Sequence, residues 1–398
     1  MAALTEIKSM TMAKLDSVLS VPAPVTRDLI DEWVHRIAGL YDEPVEDDDL
    51  ASIVRQLEAE YNVHVGQWTS LADDKDHVAW LADLKAGSPE WPFWSRYERY
   101  LRTVQGLPPA SVRSIDDVTD DVLARIESPS RPGKWDRRGL VAGQVQSGKT
   151  GSYLGLIAKS IDCGYKLIVV LAGVHNSLRS QTQARLDEGI LGFDTRNYLR
   201  FDLAEQDHRI GVGRLGRPLR VNSFTSSKEK GDFSLAVARN LGVQVGGSDP
   251  IVLVVKKNKQ ILNNLFKWAT ALNGRLDEES GRHVVPSVPL LVIDDEADHA
   301  SVDTNGPRRG QVSGETDPTV INGLIRQFLE TFEQSAYVGY TATPFANIFI
   351  SPKAVHKDVG KDLFPSSFIV NLPAPSTYVG PSRVFGLQPD PLSPVEIE

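Results

Sequence analysis

A chain of 398 residues with 41% apolar and 24% charged side chains has room for two or three structural units, which excludes a disordered polymer and a small cross-linked module. Its formal charge of −9 gives no bulk attraction to nucleic acid or to an anionic membrane, although phosphates respond to local basic patches rather than to totals. The single cysteine, Cys163, excludes an internal disulfide framework. With no run approaching a membrane span and no secretory signal at the start, a cytoplasmic location and no membrane partner are expected.

Residues 1–125 read as a helical N-terminal domain. Leu29, Ile30, Trp33 and Ile37 fall on one helical stripe behind Thr26, a candidate cap, and a second helix is expected over Leu50–Tyr61 behind the acidic run Glu46–Asp49. Shorter helices are expected at Val78–Leu84, Trp94–Val104 and Val118–Ile126. The aromatic group Trp91, Phe93, Trp94, Tyr97 and Tyr100 suits a small helical core, and with Arg96 and Arg99 beside it, base stacking is the alternative. Residues 126–138, rich in proline, glycine and basic side chains, read as a linker.

From Gly139 short apolar runs alternate with helix-length segments. The runs Gly139–Ala142, Lys166–Ala172, Ile251–Val255, Leu290–Ile293 and Ala336–Gly339 predict an α/β fold whose mainly parallel sheet is covered on both faces. Helices are expected around Thr182–Leu186 and over Asn258–Leu272. Loops are expected at Arg209–Gly216, Val243–Pro250 and Asp303–Thr319.

The segment Gly143-Gln144-Val145-Gln146-Ser147-Gly148-Lys149-Thr150 fits the phosphate-loop pattern and lies between a strand and a helix. Glycines permit a tight backbone bend, and amides at a helix N-terminus stabilise phosphate charge. Gly143, Gln144, Gln146, Ser147, Gly148, Lys149 and Thr150 are therefore candidate nucleotide contacts, Lys149 reaching terminal phosphates and the Thr150 hydroxyl reaching Mg²⁺. Leu290-Leu291-Val292-Ile293-Asp294-Asp295-Glu296-Ala297-Asp298 is a strand ending in acids, as Mg²⁺-assisted phosphoryl chemistry requires. On residue type alone, Asp294 with Asp295, or Asp295 with Glu296, can be the working pair. Asn176 and Arg179, then Lys256 and Lys257, are two polar patches after strands. Contact with a phosphate backbone and ordinary helix capping or solvation both account for them.

Asp295-Glu296-Ala297-Asp298 resembles the second motif of helicase-like ATPases, which favours Asp295 and Glu296 as the pair. Val338-Gly339-Tyr340-Thr341-Ala342-Thr343-Pro344 resembles the third motif of superfamily-two helicases and restriction translocases. Together GQVQSGKT, VIDDEAD and GYTATPFAN resemble the Z-one-domain family of endonuclease ATPases over about Gly139 to Ile350, and plausibly at Tyr378–Gly386. The resemblance implies a RecA-like P-loop NTPase core at 139–350, with ATP and Mg²⁺ as cofactors, in bacterial restriction or antiphage defence. It further implies DNA as a partner of the full system, and defence proteins as others. Lys149, Asp295 and Glu296 would be catalytic, Thr150 and Asp295 would hold the metal, and Asp298, Thr341 and Thr343 would couple nucleotide state to movement. Motors of this kind close over ATP with a second lobe carrying an arginine finger. The 48 residues after Ile350 are too few for it, so 351–398 are expected to be an extension or the start of a missing lobe. The alternative function is a nucleotide-controlled interaction module without its own motor or nuclease activity.

Overall fold

The computed structural model describes residues 2–18, 27–41, 45–61, 69–73, 75–143, 148–204, 208–272, 274–277, 281–303, 319–351, 355–356 and 359–372. It is an α/β protein built on a seven-stranded sheet: β1 (Thr69–Ala72), β2 (Trp135–Ala142), β3 (Leu167–Ala172), β4 (Ile251–Lys256), β5 (Leu290–Asp295), β6 (Gln334–Thr341) and β7 (Phe368–Asn371). Their spatial order is β1-β7-β2-β6-β5-β3-β4. Only β1 runs antiparallel; every other pair is parallel.

Helices α1 (Ala2–Val18), α2 (Arg27–Ala38) and α3 (Asp47–Tyr61) make a small core of their own around Ile30, Val34, Ile53 and Leu57. The next three, α4 (Leu81–Ala86), α5 (Pro92–Thr103) and α6 (Pro109–Arg125), pack with α7 (Lys149–Cys163) against one face of the sheet. Beyond them come α8 (Asn176–Leu186), α9 (Leu235–Asn240), α10 (Lys259–Thr270), α11 (Val320–Glu330) and α12 (Phe345–Ile348), of which α10 and α11 cover the opposite face. Burial on both faces explains why the central strands are nearly unbroken apolar runs. No helix among the described residues is long and apolar enough to cross a membrane.

Alternation along each strand decides which core a side chain enters. Leu291 and Ile293 face α7, whereas Leu290 and Val292 face α10 and α11. The same alternation sends Asp294 and Asp295 to opposite faces, and it fixes the site below.

Three boundaries differ from the sequence expectation. The supposed linker 126–138 supplies the first four residues of β2, because Arg137 and Arg138 are buried with partners rather than solvated. Arg138 Nε donates to Asp136 Oδ1 at 3.0 Å, and its Nη1 donates to the carbonyls of Lys361 and Asp362 at 2.8 and 2.7 Å. Part of the 351–398 extension enters the main sheet as β7, directly beside β2. And α4–α6 share the sheet's core instead of forming one helical domain with α1–α3. The aromatic group at 91–100 is mostly core, with Phe93, Trp94, Tyr97 and Tyr100 buried. The Asp303–Thr319 loop, apart from its two ends, and Thr26 and Tyr378–Gly386 lie outside the described residues.

Candidate functional site

The site lies beyond the carboxyl ends of the parallel strands, where open α/β sheets place their ligands. A cavity of about 670 Å³ is lined there by Lys149 and Thr150 from α7, Gln181 and Arg185 from α8, Asp295 at the end of β5, Glu296 and Asp298 just after it, and Thr341 at the end of β6.

Gly143 follows β2, and its amide donates to the Thr341 carbonyl at 2.9 Å. Gln144, Val145, Gln146 and Ser147 lie outside the described residues. The chain resumes at Gly148, whose φ of +77° is a left-handed conformation that glycine adopts without a Cβ penalty. From there α7 begins; its first internal closure is Ser152 N to Gly148 O at 2.9 Å. The amides before it have no partner within the helix, which makes this end attractive to anions. Lys149 Nζ donates to the Gly143 carbonyl at 2.6 Å, spanning the loop's two ends. Burial holds the Lys149 pKa below its usual value, against the pull of Asp295, Asp298 and Glu296.

The acids part company. Asp294 is fully buried on the α10 face, where Lys257 Nζ lies 2.6 Å from its Oδ1 and the Tyr337 hydroxyl donates to its Oδ2 at 2.6 Å. It does not reach the cavity. Asp295, on the α7 face, does, and burial followed by the Glu296 charge pushes its carboxyl up to about 6. Glu296 occupies the left-handed region at φ +56°, which costs a non-glycine residue about 1–2 kcal/mol. The turn is held from below: Lys257 Nζ donates to the carbonyls of Glu296 at 2.6 Å and His299 at 3.1 Å.

Asp298, Thr341 and Thr343 form one cluster. Thr341 Oγ1 donates to Asp298 Oδ1 at 2.6 Å, Thr343 Oγ1 donates to Asp298 Oδ2, and the Thr343 amide donates to Thr341 Oγ1 at 2.9 Å. Burial raises the Asp298 pKa, but the hydroxyl donors outweigh it and the net direction is downward.

The two polar patches behave differently from a phosphate-facing surface. Arg179 is buried and donates to the carbonyls of Ser226 at 2.8 Å and of Lys228, and Lys257 is buried in the Asp294 cluster. Neither side chain is available to a nucleic-acid backbone. Lys256 Nζ donates to Asn176 Oδ1 at 2.7 Å, so those two candidates pair with each other and tie the end of β4 to the start of α8.

Sequence reasoning passed over Arg185, whose Nη1 donates to Thr150 Oγ1 at 3.1 Å. Nothing local marks it, because α8 meets α7 only in the fold. Lys257 left a signal that strand alternation carries, since Ile251, Leu253 and Val255 share the face of Asp294.

Among the described residues no group of three or more His, Cys, Asp or Glu is placed to hold a metal by itself. Mg²⁺ does not require one; it is held by one or two protein oxygens together with phosphates and water. The Asp295 carboxylate and the Thr150 hydroxyl, both lining the cavity, are hard oxygen donors that fit this role. No protein-family model matches the chain, and neither does any curated protein sequence.

Proposed function

We propose that this chain is the ATP-binding and ATP-hydrolysing lobe of a DNA-directed bacterial restriction or antiphage defence protein, with a RecA-like P-loop core of the Z-one-domain kind. The observation that carries this reading is the convergence of Lys149, Thr150, Asp295 and Glu296 on one cavity. The strand order supports it as well. A single strand, β6, separates the loop-bearing β2 from the acid-bearing β5, so the carboxylates face the loop across the end of β6.

In this reading the amides at the start of α7 and the Lys149 ammonium bind the β- and γ-phosphates. Thr150 and Asp295 hold Mg²⁺, which supplies charge neutralisation at the phosphates when bound. Glu296 orients a water molecule for attack on the γ-phosphorus and takes up its proton; that oxygen–phosphorus bond forms as the bond to the β–γ bridging oxygen breaks, the electron pair staying on the oxygen of the departing ADP, and phosphate is released. The raised pKa of Asp295 makes this pair sensitive to acid.

The test is magnesium-dependent phosphate release and fluorescent-ADP binding by the purified chain, wild type against Lys149→Ala and Glu296→Gln. Lys149→Ala is expected to lose nucleotide affinity, while Glu296→Gln keeps it and loses at least about a hundred-fold in turnover, the scale of a positioned general base. Undiminished turnover in both variants refutes the assignment. Binding by the wild type without turnover, with or without DNA, favours a nucleotide-controlled interaction module instead.

A further inference from the structure

A second concavity, of about 490 Å³, opens between the start of α5 and residues 215–219, far along the chain from the phosphate loop. Its wall combines two chemistries. Trp91, Pro92 and Leu215 give it an apolar side, and Arg96, Arg99 and Arg217 give it a cationic one, with a single carboxylate, Glu90, among the lining residues.

The arginines are poorly neutralised. Arg96 is buried, 6% exposed, and donates through Nη2 to the Ile190 carbonyl at 2.6 Å, yet its Nε finds no partner among the described residues. Burial, and next the positive charge of Arg209, push its pKa down to about 10, with Asp162 pulling the other way. Arg99 is exposed and its guanidinium has no partner among the described residues. Among the described residues Arg217 pairs with Glu90 alone, at 3.6 Å, with both side chains more than 70% exposed, a pairing worth little. Burying an arginine beside another cation, with a donor unmet, is unfavourable unless an anion completes the site.

We infer that this groove binds single-stranded nucleic acid, with phosphates on Arg99 and Arg217 and an unpaired base against Trp91. A phosphate ion alone leaves the apolar wall unused, and an acidic peptide must draw its charge and its flat apolar contact from separate side chains. One nucleotide unit offers both, and base stacking on an aromatic face requires an unpaired base. The volume suits a group of that size.

The groove is connected to the nucleotide cavity by continuous structure. Arg185 lines the cavity from α8, which runs directly into a π-helix at Asp187–Leu191. On that π-helix, Ile190 accepts from Arg96, and Glu188 Oε2 accepts from the Tyr100 hydroxyl at 2.9 Å. Single π-turns of this kind are frequent at functional sites. The inference deepens the ATPase reading and rests on it for this coupling alone.

The experiment measures fluorescence anisotropy of a labelled twenty-nucleotide thymidine strand, and of a duplex of equal length, against the full chain at several salt concentrations. Fluorescent-ADP binding is recorded in parallel. The wild type is expected to prefer the single strand, with affinity falling as salt rises. Arg99→Glu/Arg217→Glu should weaken strand binding at least about ten-fold and flatten the salt slope, while ADP binding stays within two-fold. Arg99→Ala/Arg217→Ala, checked by circular dichroism, provides the milder variant should charge reversal disturb folding. Strand binding by the variants within two-fold of wild type overturns the inference, as does tighter binding of the duplex. Displacement of the strand by millimolar inorganic phosphate, beyond the effect of chloride at equal ionic strength, reassigns the groove to free phosphate and also overturns it. A wild type that binds ADP but no strand sinks the inference alone; one that binds neither sinks the ATPase reading too.

Discussion

Replacing Lys257 by alanine tests whether the turn at Glu296, catalytic in the proposed ATPase reading, is held in place by the opposite face of the sheet. The lysine is buried, and so is its partner Asp294, 2.6 Å away. Removing the ammonium leaves a carboxylate enclosed in protein with the Tyr337 hydroxyl as its one donor among the described residues, and breaking a buried pair in this way costs about 3–5 kcal/mol. Two further bonds, to the carbonyls of Glu296 and His299, go with it, so the left-handed turn at Glu296 loses its brace. In urea, with a denaturant slope of about 3 kcal/mol per molar, the unfolding midpoint should fall by roughly 1 M or more. Lys257→Met/Asp294→Asn removes both charges while leaving Tyr337 an acceptor, and it should recover most of the stability without recovering turnover. A loss below about 1 kcal/mol in Lys257→Ala, or full ATPase activity in the double variant, refutes the brace.

Asp295→Asn should stabilise the protein by up to about 3 kcal/mol at pH 7.5 while abolishing magnesium-dependent turnover. The sign follows from the raised pKa of about 6: the unfolded carboxyl ionises near pH 4, so the cost of holding the charge is absent below that and complete above about 6. Denaturation at pH 4 and 7.5 checks it, and an equal effect at both contradicts it. Arg185→Ala removes the donor to Thr150 Oγ1 from an exposed position; stability should move by less than about 0.5 kcal/mol and ATP affinity should drop about ten-fold by calorimetry. Unchanged affinity removes Arg185 from the phosphate site. Gly139→Ala places a Cβ 2.0–2.4 Å from three ring atoms of Phe368, so the β2–β7 seam should lose about 1–3 kcal/mol in thermal unfolding, and Phe368→Leu should restore part of it.

The legible parts of this chain were those written in consecutive residues. The Gly143–Thr150 segment, the acid-ended strand and the Thr341-Ala342-Thr343 turn are each one run of sequence, and the fold assembles Lys149, Thr150, Asp295, Glu296, Asp298 and Thr341 around one cavity. What remained hidden depends on partners distant in sequence. Trp135-Asp136-Arg137-Arg138 looks solvated until the carbonyls of Lys361 and Asp362 are brought to Arg138. Phe368–Asn371 is only four residues long, too short to separate from loop by periodicity, yet it completes the sheet beside β2. Lys256 and Lys257 are adjacent and chemically alike, and strand alternation gives them unrelated fates, one toward Asn176 and one under Asp294.

In the proposed ATPase reading, the end of β6 would carry a change at the bound phosphates to the rest of the fold. The Thr341 carbonyl takes the amide of Gly143, while its hydroxyl donates to Asp298. One residue earlier, the Tyr340 carbonyl accepts the Ala297 amide at 3.0 Å. The loop that leaves β2 and the turn that leaves β5 are thus fastened to neighbouring peptide units of the same strand. A ligand that draws Lys149 away from the Gly143 carbonyl perturbs Thr341 directly, and Thr341 shares its hydroxyl between Asp298 and the Thr343 amide. Because Asp298 is kept ionised by its hydroxyl donors, it remains an acceptor throughout the neutral range, and the link persists whether or not Asp295 beside it has taken up a proton. Proton-sensitive chemistry and pH-insensitive coupling are in this way assigned to two carboxylates three residues apart.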